Sequence, residues 1–503
     1  MLVKLASALV DFLWGVPLFV IVMGTGLFFT VKSNFFQFKF FKHMWKITFG
    51  SLFEKKKEEG NVKGVLTPIQ AISTAVGGSI GMGNIGGVAS AIAVGGPGAV
   101  LWMWIAASVG QIIKMVEVSL ACHYRLTDEK GDPYGGPNYY MKRGISEERG
   151  YKKLYKVLSF IFMFGMLGGF FINVANFTLS EAITKVSGWN MVAVSIGYTI
   201  VIYIITAGGI PKVGKISEKI VPYMVVFYIG TGLFVIFKNY AAIPGSLKLI
   251  ISGAFSGTAA VGGFTGVAVA SVIQMGISRS VYSNEAGWGT SPMIHSTSKT
   301  DHPIRQGLFG VFEVFMDTFV ICSITSLVII TTGEWSSGLS GATLTLTAFE
   351  SGMGFAGPLL LTIAMVLFAL TTAGGWYGYY EILLRFLFKD NEKAKEIGLK
   401  FVKLTYPLPG LLLTILAATN NYPGSTVWIF ADIATGVPTF ANIIAIFVLF
   451  PKFFELLKDY KARYLGIGKI DPNFKVFYED DITNVGDALN ASRNNQINTI
   501  KSI

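Results

Sequence analysis

The chain has 503 residues, of which 52% are hydrophobic and only 14% are charged. This balance excludes an ordinary soluble domain and predicts a polytopic, all-α membrane protein. The net charge of +11 would suggest a nucleic-acid partner for a soluble protein, but in a membrane protein the position of the charges decides their meaning. We therefore expect contact with membrane lipid and no nucleic-acid partner.

The apolar residues group into eleven stretches, each about 20 residues long and so able to cross a bilayer. They lie near residues 9–31, 68–93, 97–121, 156–183, 190–208, 217–237, 250–275, 306–332, 355–386, 400–419 and 424–450. Cytoplasmic segments should hold most lysines and arginines. If the N-terminus lies outside, the cytoplasmic segments, which include 276–305, hold 36 of the 41 lysines and arginines. The pattern predicts a multi-pass protein of the plasma (cytoplasmic) membrane with a cytoplasmic C-terminus.

The second span carries six glycines between residues 77 and 87, in the run GGSIGMGNIGG. Each interior glycine weakens a helix by about 1 kcal/mol relative to alanine, and lipid does not tolerate unpaired backbone groups. The glycines therefore predict a broken helix whose break faces the protein interior. Secondary transporters use such freed backbone groups and half-helix dipoles to hold a small zwitterion and its coupling cation.

Patterns typical of enzymes are absent or misplaced. The ranges 81–86 and 77–81 match GxGxxG and GxSxG, but both motifs require a preceding soluble strand, and apolar helix flanks these. The two cysteines, Cys122 and Cys322, and the four histidines show no metal-ligand spacing. We expect no enzyme. A polytopic membrane enzyme is a remote alternative, and nothing resembles the selectivity-filter ring of a channel.

The seventh span, at 250–275, is also rich in glycine. It follows the second by five spans, so the two cross the membrane in opposite directions and predict an inverted repeat. Close helix packing is the alternative reason for these glycines. The predicted organisation is an extra span with an amphipathic cytoplasmic segment (1–67), two five-helix repeats (68–237 and 238–451) and a polar cytoplasmic tail (452–503).

Polar residues inside spans are costly and are functional candidates. Thr371 and Thr372 in the ninth span offer oxygen ligands to a cation, although threonine also bonds its own helix. Asp317 in the eighth span has two interpretations, a structural hydrogen bond first and a coupling role second. Asp432 in the eleventh span has the same two.

Lys114 and Glu117 lie one helical turn apart near the inner end of the third span. An i,i+3 pair and a lysine reaching the membrane surface explain both residues without a function.

Several motifs resemble the alanine/glycine:cation symporter family over nearly the whole chain. They are SIGMGNIGGVASA (79–91), GGPGAVLWMW (95–104), GGPNYYM (135–141), VYSNEAGWGTSPMIHSTSKTDHPIRQGL (281–308) and VFMDTFVIC (314–322). The resemblance implies a LeuT-type fold, with two inverted five-helix repeats plus one N-terminal span. It also implies sodium-coupled uptake of a small neutral amino acid such as alanine or glycine. It leaves the oligomeric state open.

The same resemblance implies site residues. Sodium would bind the backbone carbonyls of Gly77 and Ile80 and the hydroxyls of Thr371 and Thr372. The residues expected around the substrate are Gly81, Met82, Gly83 and Asn84 at the break, Asn173 in the fourth span, Gly262, Gly263 and Phe264 in the seventh span, and Trp376 as a lid or wall.

Two departures from the family pattern bear on the substrate. Met82 stands where the family usually has a threonine, and Val174 stands where it usually has a glutamine, for which Asn173 or Asn176 could substitute. We therefore expect the fold and the coupling to be kept and the exact substrate to differ. A proton-coupled or other small-solute symporter of the same fold is the alternative, with Asp317 as the protonated group.

Overall fold

The computed structural model describes residues 2–50, 64–256, 269–420, 422 and 424–479, and these residues are almost entirely helical. The N-terminal helices are α1 (Leu2–Leu13), α2 (Val16–Lys32), α3 (Phe36–Lys39) and α4 (Phe41–Thr48). Residues Lys4–Lys32 form one apolar stretch long enough to cross a membrane. The expected amphipathic segment corresponds to α3 and α4. It packs on the protein, with the rings of Trp45 and Phe312 5.7 Å apart.

The first predicted repeat begins with a broken span. Its helices are α5 (Pro68–Ser79), α6 (Val88–Gly95), α7 (Ala99–His123), α8 (Pro137–Tyr140), α9 (Lys152–Phe171), α10 (Val174–Ser187), α11 (Met191–Thr206) and α12 (Gly209–Lys238). π-helical segments cover Gly83–Gly87 and Met141–Glu148. A hairpin of β1 (Leu126–Thr127) and β2 (Pro133–Tyr134) pairs Leu126 with Tyr134. The two halves of the second span are bent by 46°, as its glycines predict.

The second predicted repeat and the start of the predicted tail contain the remaining helices, the last of which belongs to the tail. They are α13 (Ile243–Ser256), α14 (Val269–Asn284), α15 (Ser291–Ser296), α16 (Pro303–Val314), α17 (Ser323–Thr331), α18 (Gly341–Met353), α19 (Ala356–Leu387), α20 (Glu392–Thr405), α21 (Leu408–Thr419), α22 (Gly424–Val448) and α23 (Phe450–Leu465). A π-helical segment, Phe315–Cys322, joins α16 to α17. Short 3-10 turns cover Tyr240–Ala242 and Glu334–Ser336.

Within the described ranges, eight helices are long and apolar enough to cross a membrane, and the bent pair α5 and α6 makes a ninth span. The apolar α11 is shorter than these. The predicted span 250–275 includes residues outside the described ranges. The count of eleven therefore stays a prediction.

Helix α7 lies at the centre of the helix packing, against α14 and α16. The contact with α16 depends on small residues, because a Cβ atom added to Gly307 would lie 2.5 Å from Ser119 Oγ. One added to Gly310 would lie 2.9 Å from Lys114 Cγ. Glycines at such a crossing let two helices approach closely inside a membrane.

The polar tail after residue 451 begins with an ordered helix. In α23, Phe453, Leu456 and Tyr460 are buried on one face, a spacing that lets a largely polar helix pack on the protein. The chain beyond it also docks, since the Tyr478 amide donates to the His123 carbonyl at 2.9 Å. Tail residues up to 479 are thus part of the fold.

Candidate functional site

The break in the second span frees backbone groups next to α19. Helix α5 ends at Ser79, and Ile80 is extended, with φ −71° and ψ 101°. In a continuous helix the Gly81 amide would donate to the Gly77 carbonyl, but here it donates to Asn84 Oδ1 at 2.8 Å. The Gly77 carbonyl is therefore available to another partner. The Ile80 carbonyl is available too, because the Asn84 amide donates to the Gly81 carbonyl at 3.2 Å.

That partner is Thr372 of α19. Its hydroxyl lies 3.1 Å from the Gly77 carbonyl oxygen and 3.4 Å from that of Ile80. The hydroxyl of Thr371 donates within its own helix, to Leu367 at 3.0 Å and to Phe368 at 3.1 Å. The structure thus brings three of the four predicted sodium ligands together, and Thr371 lies beside them with its hydroxyl directed to its own helix.

The approach of α5 to α19 depends on a pair of glycines. A Cβ atom added to Gly375 would lie 2.8 Å from the Gly78 Cα and 3.1 Å from the Thr74 carbonyl oxygen. Both atoms belong to the backbone and cannot rotate away. Glycine at this crossing sets the distance between Thr372 and the break.

A cavity of about 90 Å³ adjoins this cluster. Of the predicted substrate residues, Gly81, Met82, Gly83, Asn173 and Trp376 line it. The fully buried Asn84 does not line the cavity, because its side chain bonds to the Gly81 amide and to Asp317. The Asn173 side chain also caps α10, accepting from the Ala175 amide at 3.2 Å. The predicted residues Gly262, Gly263 and Phe264 lie outside the described residues.

Another wall of the cavity comes from residues that the sequence analysis assigned to an inside segment. Tyr282, Glu285 and Trp288 line the cavity where α14 gives way to α15. The backbone there has positive φ at Glu285 (54°) and at Gly287 (95°). The signal that could have located this wall is the run NEAGWGT, in which glycines and polar residues interrupt an otherwise apolar stretch.

Aromatic side chains enclose the cavity. The Tyr282 ring lies 5.3 Å from Trp288 and 5.5 Å from Trp428, and Trp288 lies 6.2 Å from Trp376. The Trp288 indole N–H and the Tyr380 hydroxyl are buried and have no hydrogen-bond partner among the described residues. Such groups suit a ligand that is apolar on its sides and polar at its ends.

Asp317 lies behind the break and is fully buried. Its carboxylate accepts from Asn84 Nδ2 at 2.5 Å and from Thr318 Oγ1 at 2.8 Å. The Ser283 hydroxyl donates to both carboxylate oxygens, at 3.0 and 2.9 Å. These hydrogen bonds agree with the structural interpretation of Asp317. They join the second span to α14 and to the eighth span.

Lys114 and Glu117 differ from the predicted pair. The Lys114 ammonium lies 3.5 Å from the Glu313 carboxylate and donates to Ser291 Oγ at 2.8 Å. Glu117 accepts from the Gly287 amide at 3.1 Å and from the Asn442 side chain. The predicted i,i+3 pair is wrong because both side chains are fully buried against other helices.

A second ion pair, which is partly buried, lies beside the cavity. Arg279 of α14 donates two hydrogen bonds of 3.0 Å to the Asp432 carboxylate in α22. Trp14 also donates to the Asp432 main-chain carbonyl at 2.7 Å, which ties the N-terminal span to α22. Arg279 is thus a paired helix residue, and its assignment to an inside loop is wrong.

Comparisons with known proteins agree with this architecture. The sequence profile of the sodium:alanine symporter family matches residues 1–475. The chain is 35% identical to the sodium/alanine symporter AgcS of Methanococcus maripaludis, over 89% of this chain and 94% of AgcS. It is also 35% identical to the probable sodium/glutamine symporter GlnT of Bacillus subtilis, over 94% of this chain and 93% of GlnT.

Two solved transporter structures share the fold. A structure of MhsT in complex with L-phenylalanine matches with a TM-score of 0.52 and 14% identity, covering 75% of this chain and 88% of MhsT. A Na⁺-coupled sialic acid symporter in its outward-open state matches with a TM-score of 0.50 and 12% identity, covering 95% and 96%. The fold is LeuT-type. The chain therefore belongs to the sodium:alanine symporter family, and it is a multi-pass membrane transporter and not an enzyme.

Proposed function

We propose that this transporter couples the inward movement of sodium to the uptake of a small neutral amino acid such as alanine or glycine. The observation that carries the proposal is the Thr372 hydroxyl beside the carbonyl oxygens of Gly77 and Ile80, at 3.1 and 3.4 Å. Carbonyls of an unwound transmembrane helix are the groups with which such transporters coordinate sodium. The name of the family and the names of AgcS and GlnT support sodium as the ion.

The size of the cavity supports a small substrate. Its volume of about 90 Å³ is well below the roughly 300–1,000 Å³ of pockets for drug-sized ligands. The Met82 side chain is one of the groups that limit this volume. The substrate carboxylate is assigned to the backbone amides of Met82 and Gly83, where the second half of the broken span starts and its dipole favours an anion.

Sodium binds first in this scheme and holds the broken span in the shape that accepts the substrate. Substrate affinity then rises with sodium, and sodium affinity rises with substrate, by reciprocal linkage. The two repeats rock around the site, so that it opens to one side of the membrane at a time.

The N-terminus is placed outside and the C-terminus in the cytoplasm. The basis is the distribution of lysine and arginine, which holds without Arg279 because 35 of 41 remain on the inside. Reporter fusions after residues 240 and 479 test this orientation. A cytoplasmic signal at 240, together with an external one at 479, would invert it.

The direct test is uptake of radiolabelled alanine and glycine into proteoliposomes with an inward sodium gradient. Potassium replaces sodium in the control, and an inward proton gradient forms a third arm. We expect accumulation above equilibrium in the arm with the sodium gradient and not in the other two. Accumulation driven by the proton gradient without sodium would favour the proton-coupled alternative, and equilibration without accumulation would indicate a passive pathway.

A further inference from the structure

Glu285 is the only charged side chain among the described residues that line the cavity. It lies between α14 and α15, between Tyr282 and Trp288 of the aromatic wall, and only 3% of its surface is exposed. Its left-handed backbone, with φ 54°, is unusual for a residue other than glycine. An acidic group is thus held in a strained turn at the edge of the cavity.

The Glu285 carboxylate has no cationic partner within 4.0 Å among the described residues. One of its oxygens accepts from the Thr290 hydroxyl at 2.6 Å. The nearby Lys114 donates to the Glu285 main-chain carbonyl, at 3.0 Å, and its closest carboxylate is that of Glu313.

The arginine of α14, Arg279, is also paired with another acid. Arg279 pairs with Asp432, donating one hydrogen bond from each of its two terminal nitrogens. The positive charges around the cavity are therefore paired elsewhere, and the acid at its edge is not.

A buried carboxylate without a counter-ion is costly, and that cost disappears when a ligand supplies a cation. The surrounding rings favour the same kind of ligand, since Tyr282, Trp288 and Trp376 line the cavity and aromatic rings attract an ammonium group. We propose that Glu285 is the counter-ion for the ammonium group of the substrate and restricts transport to substrates that carry such a group. This inference rests on the proposed function and names the side chain that binds the ammonium end of the zwitterion.

The test compares alanine with propionate, which is alanine without its ammonium group. Purified protein in sodium is titrated with each ligand, and binding is read from the shift in unfolding temperature. The variants are Glu285→Gln, which removes the charge at constant shape, and Glu285→Asp, which keeps it. Thr290→Val is the matched control, because it removes the hydrogen bond to Glu285 but leaves the carboxylate.

A carboxylate that binds the ammonium group gives a specific pattern. Glu285→Gln weakens alanine binding by at least about 10-fold, because a site built for a polar group rejects a mismatched ligand strongly. The same variant leaves propionate binding and sodium-induced stabilisation within about 3-fold of wild type. Glu285→Asp keeps the preference for alanine over propionate, and Thr290→Val leaves alanine affinity within about 3-fold.

Other patterns overturn the proposal. An equal loss of alanine, propionate and sodium binding in Glu285→Gln would give the carboxylate a purely structural role. If Glu285→Gln does not fold, loss of the preference for alanine over propionate in Glu285→Asp would overturn the proposal instead. Alanine affinity unchanged in Glu285→Gln would overturn the inference alone. A wild-type protein that alanine does not stabilise would overturn the proposed function and the inference with it.

Discussion

The side-chain amide of Asn84 lies 2.5 Å from the carboxylate of Asp317. This contact links the break in the second span to the π-helical segment of the eighth. Through Ser283, the same carboxylate also holds the end of α14. One buried acid therefore fixes the relative positions of both walls of the candidate site.

Replacing Asp317 with asparagine turns one acceptor oxygen into an N–H donor. That donor would then face the donors that now bond to the carboxylate, among them Asn84 and Ser283. We expect sodium-driven uptake to fall by at least about 10-fold, and the free energy of unfolding to fall by about 1–3 kcal/mol, because buried donors lose their acceptor. Uptake in proteoliposomes and denaturant unfolding measure the two effects. Cys322→Ala is the control, since its sulfur forms only weak hydrogen bonds in the same cluster, to Asn84 at 3.4 Å, to Ser283 at 3.2 Å and to Asp317 at 4.0 Å. Uptake at the wild-type level in Asp317→Asn would contradict the role given to this carboxylate.

Thr372 and Thr371 form a matched pair for testing the cation site. The Thr372 hydroxyl faces the carbonyls of Gly77 and Ile80, whereas that of Thr371 bonds its own helix. Substituting valine keeps the shape and removes only the hydroxyl. Thr372→Val should raise the sodium concentration for half-maximal uptake by about 10-fold, and Thr371→Val by less than about 3-fold. Equal effects of the two substitutions would remove the distinction between these threonines.

Alanine at position 375 should separate α5 from α19. Its Cβ atom would lie 2.8 Å from the Gly78 Cα, and overpacking of this kind costs about 1–3 kcal/mol. We expect lower thermal stability and weaker activation of uptake by sodium. Gly230→Ala is the control, because an added Cβ there meets no atom within 4 Å. That substitution should be neutral or stabilising, by up to about 1 kcal/mol. A Gly375→Ala protein with wild-type stability and sodium activation would show that the crossing of α5 and α19 accommodates a methyl group, which would contradict this prediction.

Met82 should limit substrate size. Met82→Thr shortens a side chain that lines the cavity and should improve competition by serine relative to alanine by about 10-fold, the value of one or two methylene groups in a pocket. Met82→Leu keeps the bulk and should leave the ratio unchanged. Inhibition of radiolabelled alanine uptake measures both. An unchanged ratio in Met82→Thr would place the size limit elsewhere in the cavity.

Local sequence patterns predicted the fold and part of the candidate site. Hydropathy located most spans, and the glycines between residues 77 and 87 predicted the bend of 46° in the second span. The meeting of Gly77 with Thr372 followed only from the resemblance to a family, because the two residues are separated by 295 positions. No local pattern reports such a contact.

The wall formed by Tyr282, Glu285 and Trp288 could not be predicted from composition. Arg279 and Glu285 make this segment polar, so hydropathy and charge placed it in a loop. The structure instead packs this segment against the cavity, and the charge of Arg279 is paired with Asp432, which lies 153 residues away. A buried charge is recognisable only when its partner is known, and that partner is set by tertiary structure.

The most direct test of sodium coupling is the affinity of the purified transporter for alanine as a function of sodium concentration. Choline and potassium serve as controls at the same ionic strength. Coupling through the Gly77, Ile80 and Thr372 cluster predicts that alanine affinity rises by at least about 10-fold between sodium-free and saturating conditions, a coupling free energy of about 1.4 kcal/mol. Thr372→Val should shift this rise to higher sodium. Alanine affinity that is the same in sodium, potassium and choline would contradict sodium coupling at this site.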